Sequence, residues 1–487
     1  MKRVTIIFNI FVFTLLLLGT SGCRKLVEVD PPVQMIIGQE IYNTNVNAAS
    51  VLTGIYTDMS SGGIFTGRNS ISLRTGLSAD ELVSNAPQEN ILTVLYTNGI
   101  TNHGSQLFWH DLYFYIFRAN AAIEGLAAST GITEPVRQQL TGEAKFIRAF
   151  MYFYLVNLYG DVPLVLNTKA MENRLNSRAP TSEVYQQMEQ DLKDAAMLLN
   201  YEYMHSDALS VSQERLRPNK STAIALLARV YLYMGEFTLA EEKATEVIND
   251  GRYQLESLES AFLKGSKEAI WQLQPVGVGF DSNTQDAVVF VLAAGGSYQG
   301  LPGPNLDSRP VYLSEHLYNA FEENDQRKNN WTDTVTAAGK LYPYAWKYKL
   351  WISETTGEYL ITMRLAEQYL IRAEARAQQG KITGAGSAAE DLDMIRSRAG
   401  LPMTSAATQP EMVAAILHER QVELFTEWGH RWLDLKRTRK VDEVMSSVAP
   451  SKNATWEPYK ALYPIPVTDI QRAPGLKGHQ NPGYPEQ

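Results

Sequence analysis

Tyr96 and Asn98 stand close together in a loop-rich stretch before Trp109, and Tyr298 and Trp331 fall in a second stretch rich in glycine and proline. An aromatic ring near an amide is the combination a sugar site needs. The ring stacks on the flat C–H face of a pyranose, and the amide reads its hydroxyls. These four side chains are the candidate ligand contacts, and all four are expected to face solvent. Tyr342, Tyr344, Trp346 and Tyr348 alternate with Pro343, Ala345 and Lys347, which puts four rings on one face of a strand. That face either offers a stacking platform or packs against helices.

Other chemistries find less support. Gly384-Ala385-Gly386-Ser387-Ala388-Ala389 spells a dinucleotide fingerprint, but it follows a helical pattern where the fingerprint needs a strand. Neither a G-x-x-x-x-G-K-[ST] run nor an H-E-x-x-H occurs. The histidines at 103, 110, 205, 316, 418, 430 and 479 lack the spacing of metal ligands. His418 and Glu419 lie beside Arg420 and Glu423 in a helical stretch, where solvated ion pairs are expected. Among 53 Asp and Glu residues no pair is marked out for glycoside hydrolysis. No enzymatic signature is thus marked out, and neither cofactor nor metal is expected. A net charge of −9 and the lack of a basic stripe argue against a nucleic-acid partner.

The one cysteine carries chemistry of a different kind. Lys2 and Arg3 precede an apolar run from Ile6 to Leu18, then small residues Gly19 to Gly22, then Cys23. A positive flank, a short apolar stretch and a small-residue exit describe a secretory signal over 1–22. Thr20-Ser21-Gly22-Cys23 then predicts a lipobox, with Cys23 acylated after cleavage. Acyl chains of this kind hold a soluble domain on a membrane. Residues 23–34, with Pro31 and Pro32, predict an extended lipidated tether.

Helical periodicity must supply the scaffold that positions these groups. It predicts helices over 105–128, 134–159, 181–200, 217–234, 237–249, 361–379, 385–398 and 410–428, with Pro135, Thr181, Ser182 and Pro410 as start signals. Gly160, Gly235, Gly251, Gly380 and Gly400 sit at or just past helix ends. Ala228, Gly235 and Ala240 share their spacing with Ala373, Gly380 and Ala385, the small-residue and turn positions of a tetratricopeptide helix pair. The fold class expected is mainly α: tetratricopeptide-like helix pairs forming a scaffold, with loop-rich regions over about 60–104 and 251–350. A few short strands, among them Ala287–Leu292, are expected on the ligand face. At this length one large composite domain or two closely packed ones would serve.

Several blocks carry a family resemblance. They include Arg148-Ala149-Phe150-Met151-Tyr152-Phe153-Tyr154-Leu155, continuing to Gly160-Asp161-Val162-Pro163-Leu164, and Pro218-Asn219-Lys220 with Ala225 to Tyr231. Arg364-Leu365-Ala366-Glu367, Arg398-Ala399-Gly400-Leu401, Gly429-His430-Arg431-Trp432 and Asn481-Pro482-Gly483-Tyr484 follow in order. Together they identify the chain as resembling the SusD/RagB family of Bacteroidetes outer-membrane lipoproteins, over essentially its whole length. The resemblance implies residues 35–487 as a single domain, and a non-catalytic protein that binds glycan, or in some branches peptide. It implies attachment to the outer membrane facing outside, as a lid on a SusC-type TonB-dependent channel. Ligand contacts would come from variable loops resembling 60–104 and 275–350, because the matching blocks are scaffold. A secreted hydrolase and a helical-repeat adaptor remain as alternatives.

Overall fold

The computed structural model describes residues 40–88, 90–101, 107–279, 282–293 and 301–486. The expected signal peptide, Cys23 with its tether, and Tyr298 lie outside the described residues.

The helices of eight residues or more are α1 (Asn45–Ser60), α2 (Ile71–Ser78), α3 (Trp109–Ala128), α4 (Glu134–Tyr159), α5 (Thr181–Leu198), α6 (Lys220–Met234), α7 (Phe237–Ile248), α8 (Leu365–Gln378), α9 (Ala388–Arg398), α10 (Gln409–Glu423), α11 (His430–Arg437) and α12 (Val441–Val448). From α3 to α8 each packs on the next, and α8 then packs on both α9 and α10. At the centre of this array α4 is buried on every side from Phe146 to Val156. A stretch this apolar, with its one charge Arg148 paired to Asp191, has to be enclosed by neighbours, and here α3, α5 and α1 pack around it. A smaller core of Leu370, Leu392, Ile395, Met412 and Ile416 binds α8, α9 and α10 together.

Local sequence sets the helix ends. Asn219 forms a capping box with Thr222 at the start of α6, and Thr408 forms one with Glu411 at the start of α10. Gly235 closes α6 in the left-handed conformation, with φ 78°, where a side chain would be strained. The α6–α7 pair carries the expected small residues, with Ala228 and Ala240 fully buried. In the second copy Ala373 is buried but Ala385 is exposed. Gly384 and Gly386 prolong the turn with positive φ, Ser387 caps α9, and Ala388 takes the buried place instead. The dinucleotide-like letters are thus turn glycines between two helices.

Several expected boundaries shift. The stretch 361–379 begins as strand β6 (Leu360–Arg364) before α8. The stretch 410–428 is helical only to Glu423; Thr426 and Trp428 beyond it adopt positive φ. Ala287–Leu292 is not a strand, since Gln285–Phe290 is a short helix capped by Thr284. The region 60–104 holds α2, strand β1 (Leu82–Ser84) and a short helix Ile91–Tyr96. Strand β1 pairs antiparallel with β3 (Val311–Leu313), matching Val83 to Tyr312. Strand β2 (Ala269–Leu273) pairs with β6, and β4 (Thr332–Ala337) with β5 (Lys340–Ala345). Ala338 and Gly339 make the two-residue hairpin turn between β4 and β5, both at positive φ, as such turns require.

The ion pairs expected to be solvated around Glu419 are buried. Arg327 donates to Glu419 at 2.5 Å and to Glu423 at 3.0 Å, and all three side chains are fully enclosed. Arg364 donates to Glu423 at 2.6 Å, to Glu427 at 2.7 Å and to Glu268 at 2.9 Å. Arg398 bridges Glu268 and Glu423 as well. Burial opposes ionisation of Glu423, yet Arg398, Arg364 and Arg327 together hold its carboxyl well below the usual carboxylate range. The cluster ties α9, α10, β6, the Glu268 position just before β2 and the short helix Gln326–Trp331 into one unit.

Candidate ligand-binding site

Four side chains were expected to face a ligand, and the fold treats them differently. Trp331 is fully buried. Its indole Nε1 donates to the Leu258 carbonyl at 2.8 Å, and its ring meets Phe262 edge-on at 5.4 Å. The Lys347 ammonium lies 5.0 Å from the same ring. The expectation that Trp331 faces solvent is therefore corrected: it is a core residue in the short helix leading into β4. Asn98 is also buried, and its Nδ2 donates to the Ser78 carbonyl at 3.0 Å. With φ 50° it holds a turn, a conformation asparagine tolerates better than most residues. Tyr96 is the last residue of the helix Ile91–Tyr96, not a loop residue, and it stays half-buried.

The four alternating rings do not share one strand face. Strand β5 ends at Ala345. Tyr344 and Tyr348 turn inward, Tyr344 donating to Asp333 at 2.7 Å and Tyr348 accepting from the Ile361 N–H at 2.9 Å. Trp346 leans on Tyr344. Tyr342 and Trp346 are both half-buried, and Tyr342 meets a ring on another strand.

That ring is Tyr312. In β3 the flanking Val311 and Leu313 are buried while Tyr312 is not, so the pleat alternation turns Tyr312 away from the core. Tyr312 and Tyr342 meet edge-to-face, centroids 5.0 Å apart at 83°, the geometry that aromatic quadrupoles favour. Lys340 donates to the Tyr312 hydroxyl at 3.0 Å and lies 4.9 and 5.0 Å from the two rings. Its bond to the Tyr312 hydroxyl pushes the Lys340 ammonium above its ordinary value. Tyr96, Tyr312 and Lys340 line a depression of about 270 Å³, whose other lining residues include Glu315, His316 and Leu341. Burial, with Tyr312 alongside, pushes the Tyr96 phenol up to about 12, so it stays a neutral donor.

Lys452 lies 5.0 Å from the Tyr96 ring on the protein side and donates to the Leu77 carbonyl at 2.9 Å. Burial drives its ammonium down to about 7, against the pull of Asp80. Asp80 itself is paired bidentately with Arg431 at 2.8 and 2.7 Å. The depression thus offers half-exposed rings, a cation, an imidazole and an exposed carboxylate. Flat rings and scattered hydrogen-bonding groups suit stacking and recognition of a polyol. At the β4–β5 hairpin turn, Thr336, Ala337 and Ala338 line a second, broader depression of about 780 Å³ together with residues of the segment 301–308.

Tyr312 and Lys340 escaped sequence reasoning. Neither stands beside an amide in the chain, and their proximity depends on β3 lying against β5. The Ala338-Gly339 turn was the available signal, since it marks a hairpin that would present Lys340 at its tip. Among the described residues no group of His, Cys, Asp and Glu could hold a metal ion, and no helix is long and apolar enough to cross a membrane.

Comparison with known proteins bears on both halves of the chain. Residues 38–232 match the family model described as "Starch-binding associating with outer membrane", and residues 291–484 match the model of the SusD family. SusD-like protein P2 of Formosa agariphila is 29% identical, over 97% of this chain and 99% of its own length. Among solved structures, a laminarin binding SusD-like protein is similar with a TM-score of 0.72 and 26% identity, covering 91% of this chain and 100% of that one. The surface glycan-binding protein A from Bacteroides uniformis has a TM-score of 0.73 at 20% identity, covering 90% and 99% of the two chains. At that identity the likeness concerns the fold.

Proposed function

The chain belongs to the SusD/RagB family, and from that premise we propose that it captures glycan at the cell surface and delivers it to a SusC-type TonB-dependent transporter. The observation that carries the reading is the Tyr96–Tyr312–Lys340 depression, an aromatic and hydrogen-bonding surface set on a helical scaffold. The laminarin-binding relative supports glycan as the ligand class. Rings that stack on pyranose faces contribute only about 0.5–1.5 kcal/mol each beyond area burial, so capture is of modest affinity and readily reversible. That suits a protein that must pass its ligand on. In this reading Tyr298, close in the chain to the second depression, is a further contact.

The same proposal covers the N-terminal segment. Residues 1–22 direct export, Cys23 is acylated, residues 23–34 tether the protein, and residues 35–487 form the capturing domain. The protein sits on the outer membrane facing outward and binds without catalysing cleavage. A lid that spans no membrane itself needs a channel beneath it. Affinity purification from gently solubilised membranes should therefore recover a TonB-dependent β-barrel with the protein at native expression. Recovery of the protein alone under several detergents contradicts the partnership.

A further inference from the structure

A cavity of about 410 Å³ lies between α1, the segment 204–217, the end of β2 and Tyr359, and it shares no residue with the depression beside β5. Its volume falls within the roughly 300–1,000 Å³ of small-molecule sites. The floor is rigid. The buried Arg217 donates to Glu143 at 2.6 Å and to the Ser206 carbonyl at 3.1 Å, while Tyr56 donates to the same Glu143 oxygen at 2.8 Å. At the rim, Lys264 lies 3.2 Å from Glu214 and 5.0 Å from the Tyr359 ring.

The guanidinium and the ammonium that reach the cavity are already paired, Arg217 with Glu143 and Lys264 with Glu214. An anionic ligand would have to break one of those pairs or rely on the exposed His205 imidazole alone, so phosphates and carboxylates fit poorly. A purely apolar ligand would cover the hydroxyls of Thr57 and Ser206 and the amides of Gln272 and Gln274 without satisfying them. One of those amides is informative. Gln272 is 1% exposed, and its Nε2 finds no acceptor among the described residues. A buried donor left unpaired is costly, and in native proteins it calls for a bound group or water to complete it.

We infer that this cavity is a second binding site, for a small neutral sugar of one or two rings. Met204, Leu216 and Val276 give it apolar wall, the tyrosines cover C–H faces, and the hydroxyls and amides address the sugar's own hydroxyls. The ligand class rests on the reading of the chain as a glycan-binding protein; the residues are different ones. Thr57 and Ser206 are exposed at the cavity's edge, which gives a small ligand a way in.

The test uses the full chain carrying Cys23→Ser, with glucose, galactose, maltose and laminaribiose followed by saturation-transfer NMR. Two cavity variants, Thr57→Trp to fill the mouth and Gln272→Leu to remove the amide, are compared with Tyr312→Ala at the other depression. At least one of these sugars should bind with an affinity that falls tenfold or more in Thr57→Trp and Gln272→Leu and is unchanged in Tyr312→Ala. Thr57 lies on an exposed face of α1, so that variant reports on the cavity even where Gln272→Leu folds poorly. Loss in Tyr312→Ala alone overturns the second site and leaves the first. No binding of any small sugar, by protein that still retains polysaccharide, overturns it too. A crystal structure with residues preceding Glu40 filling the cavity does the same.

Discussion

Tyr312 and Trp331 show how little a side chain's type says about its role until its surroundings are known. Tyr312 is turned outward beside Lys340, so Tyr312→Ala should weaken glycan binding about tenfold, a loss of about 1.4 kcal/mol. The thermal midpoint should stay nearly unchanged. Trp331→Ala should do the reverse, destabilising by about 3–5 kcal/mol as large aromatic truncations in cores do; chemical denaturation of both variants checks the contrast. Glu81 makes a third test. Burial, with Asp80 nearby, raises its carboxyl from 4.5 to about 8. The folded chain therefore keeps a proton that the unfolded chain has lost. The stability this group contributes is full below pH 4.5 and is lost as the pH rises through about 8. Glu81→Gln should flatten that decline in midpoints measured across the window. Tyr96 was identifiable in the sequence as a ring near an amide, and it does line the depression. Trp331 and Asn98 were chosen by the same logic and are buried, because neighbours along the chain carry no information about neighbours across it.

Periodicity made α3 to α7 legible at the scale of elements; Pro135 and Thr181 mark the starts of α4 and α5, and Gly160 and Gly235 the ends of α4 and α6. Helix α1 escaped notice: Asn45, Asn47, Thr53, Gly54 and Thr57 are weak helix formers, and burial of Leu52, Ile55 and Met59 compensates. Strand β6 was hidden because Leu360–Arg364 runs straight into α8 without a breaking residue. The ion pairs of α10 misled for a related reason: a Glu–Arg spacing suited to solvated pairs serves equally for a buried lattice. That lattice predicts that Glu423→Ala, which removes the one carboxylate shared by Arg364, Arg327 and Arg398, costs about 3–5 kcal/mol. A midpoint within a degree or so of the parent would show the cluster to be dispensable.

For the whole molecule, the helical scaffold joins the three concave surfaces described above and, in the proposed function, an N-terminal lipid. Cys23→Ser should release the protein from the membrane fraction; unchanged association with an intact N-terminus contradicts acylation. The central claim is capture without cleavage at the Tyr96–Tyr312–Lys340 depression. Isothermal titration against a panel of soluble polysaccharides, with product analysis of every mixture, tests it most directly when run on the parent and on the Tyr312→Ala/Lys340→Ala double variant. The expected result is saturable binding of at least one glycan, no released products, and loss of that binding in the double variant at unchanged thermal midpoint. Cleavage of any glycan, silence across the panel, or full binding by the double variant would contradict it.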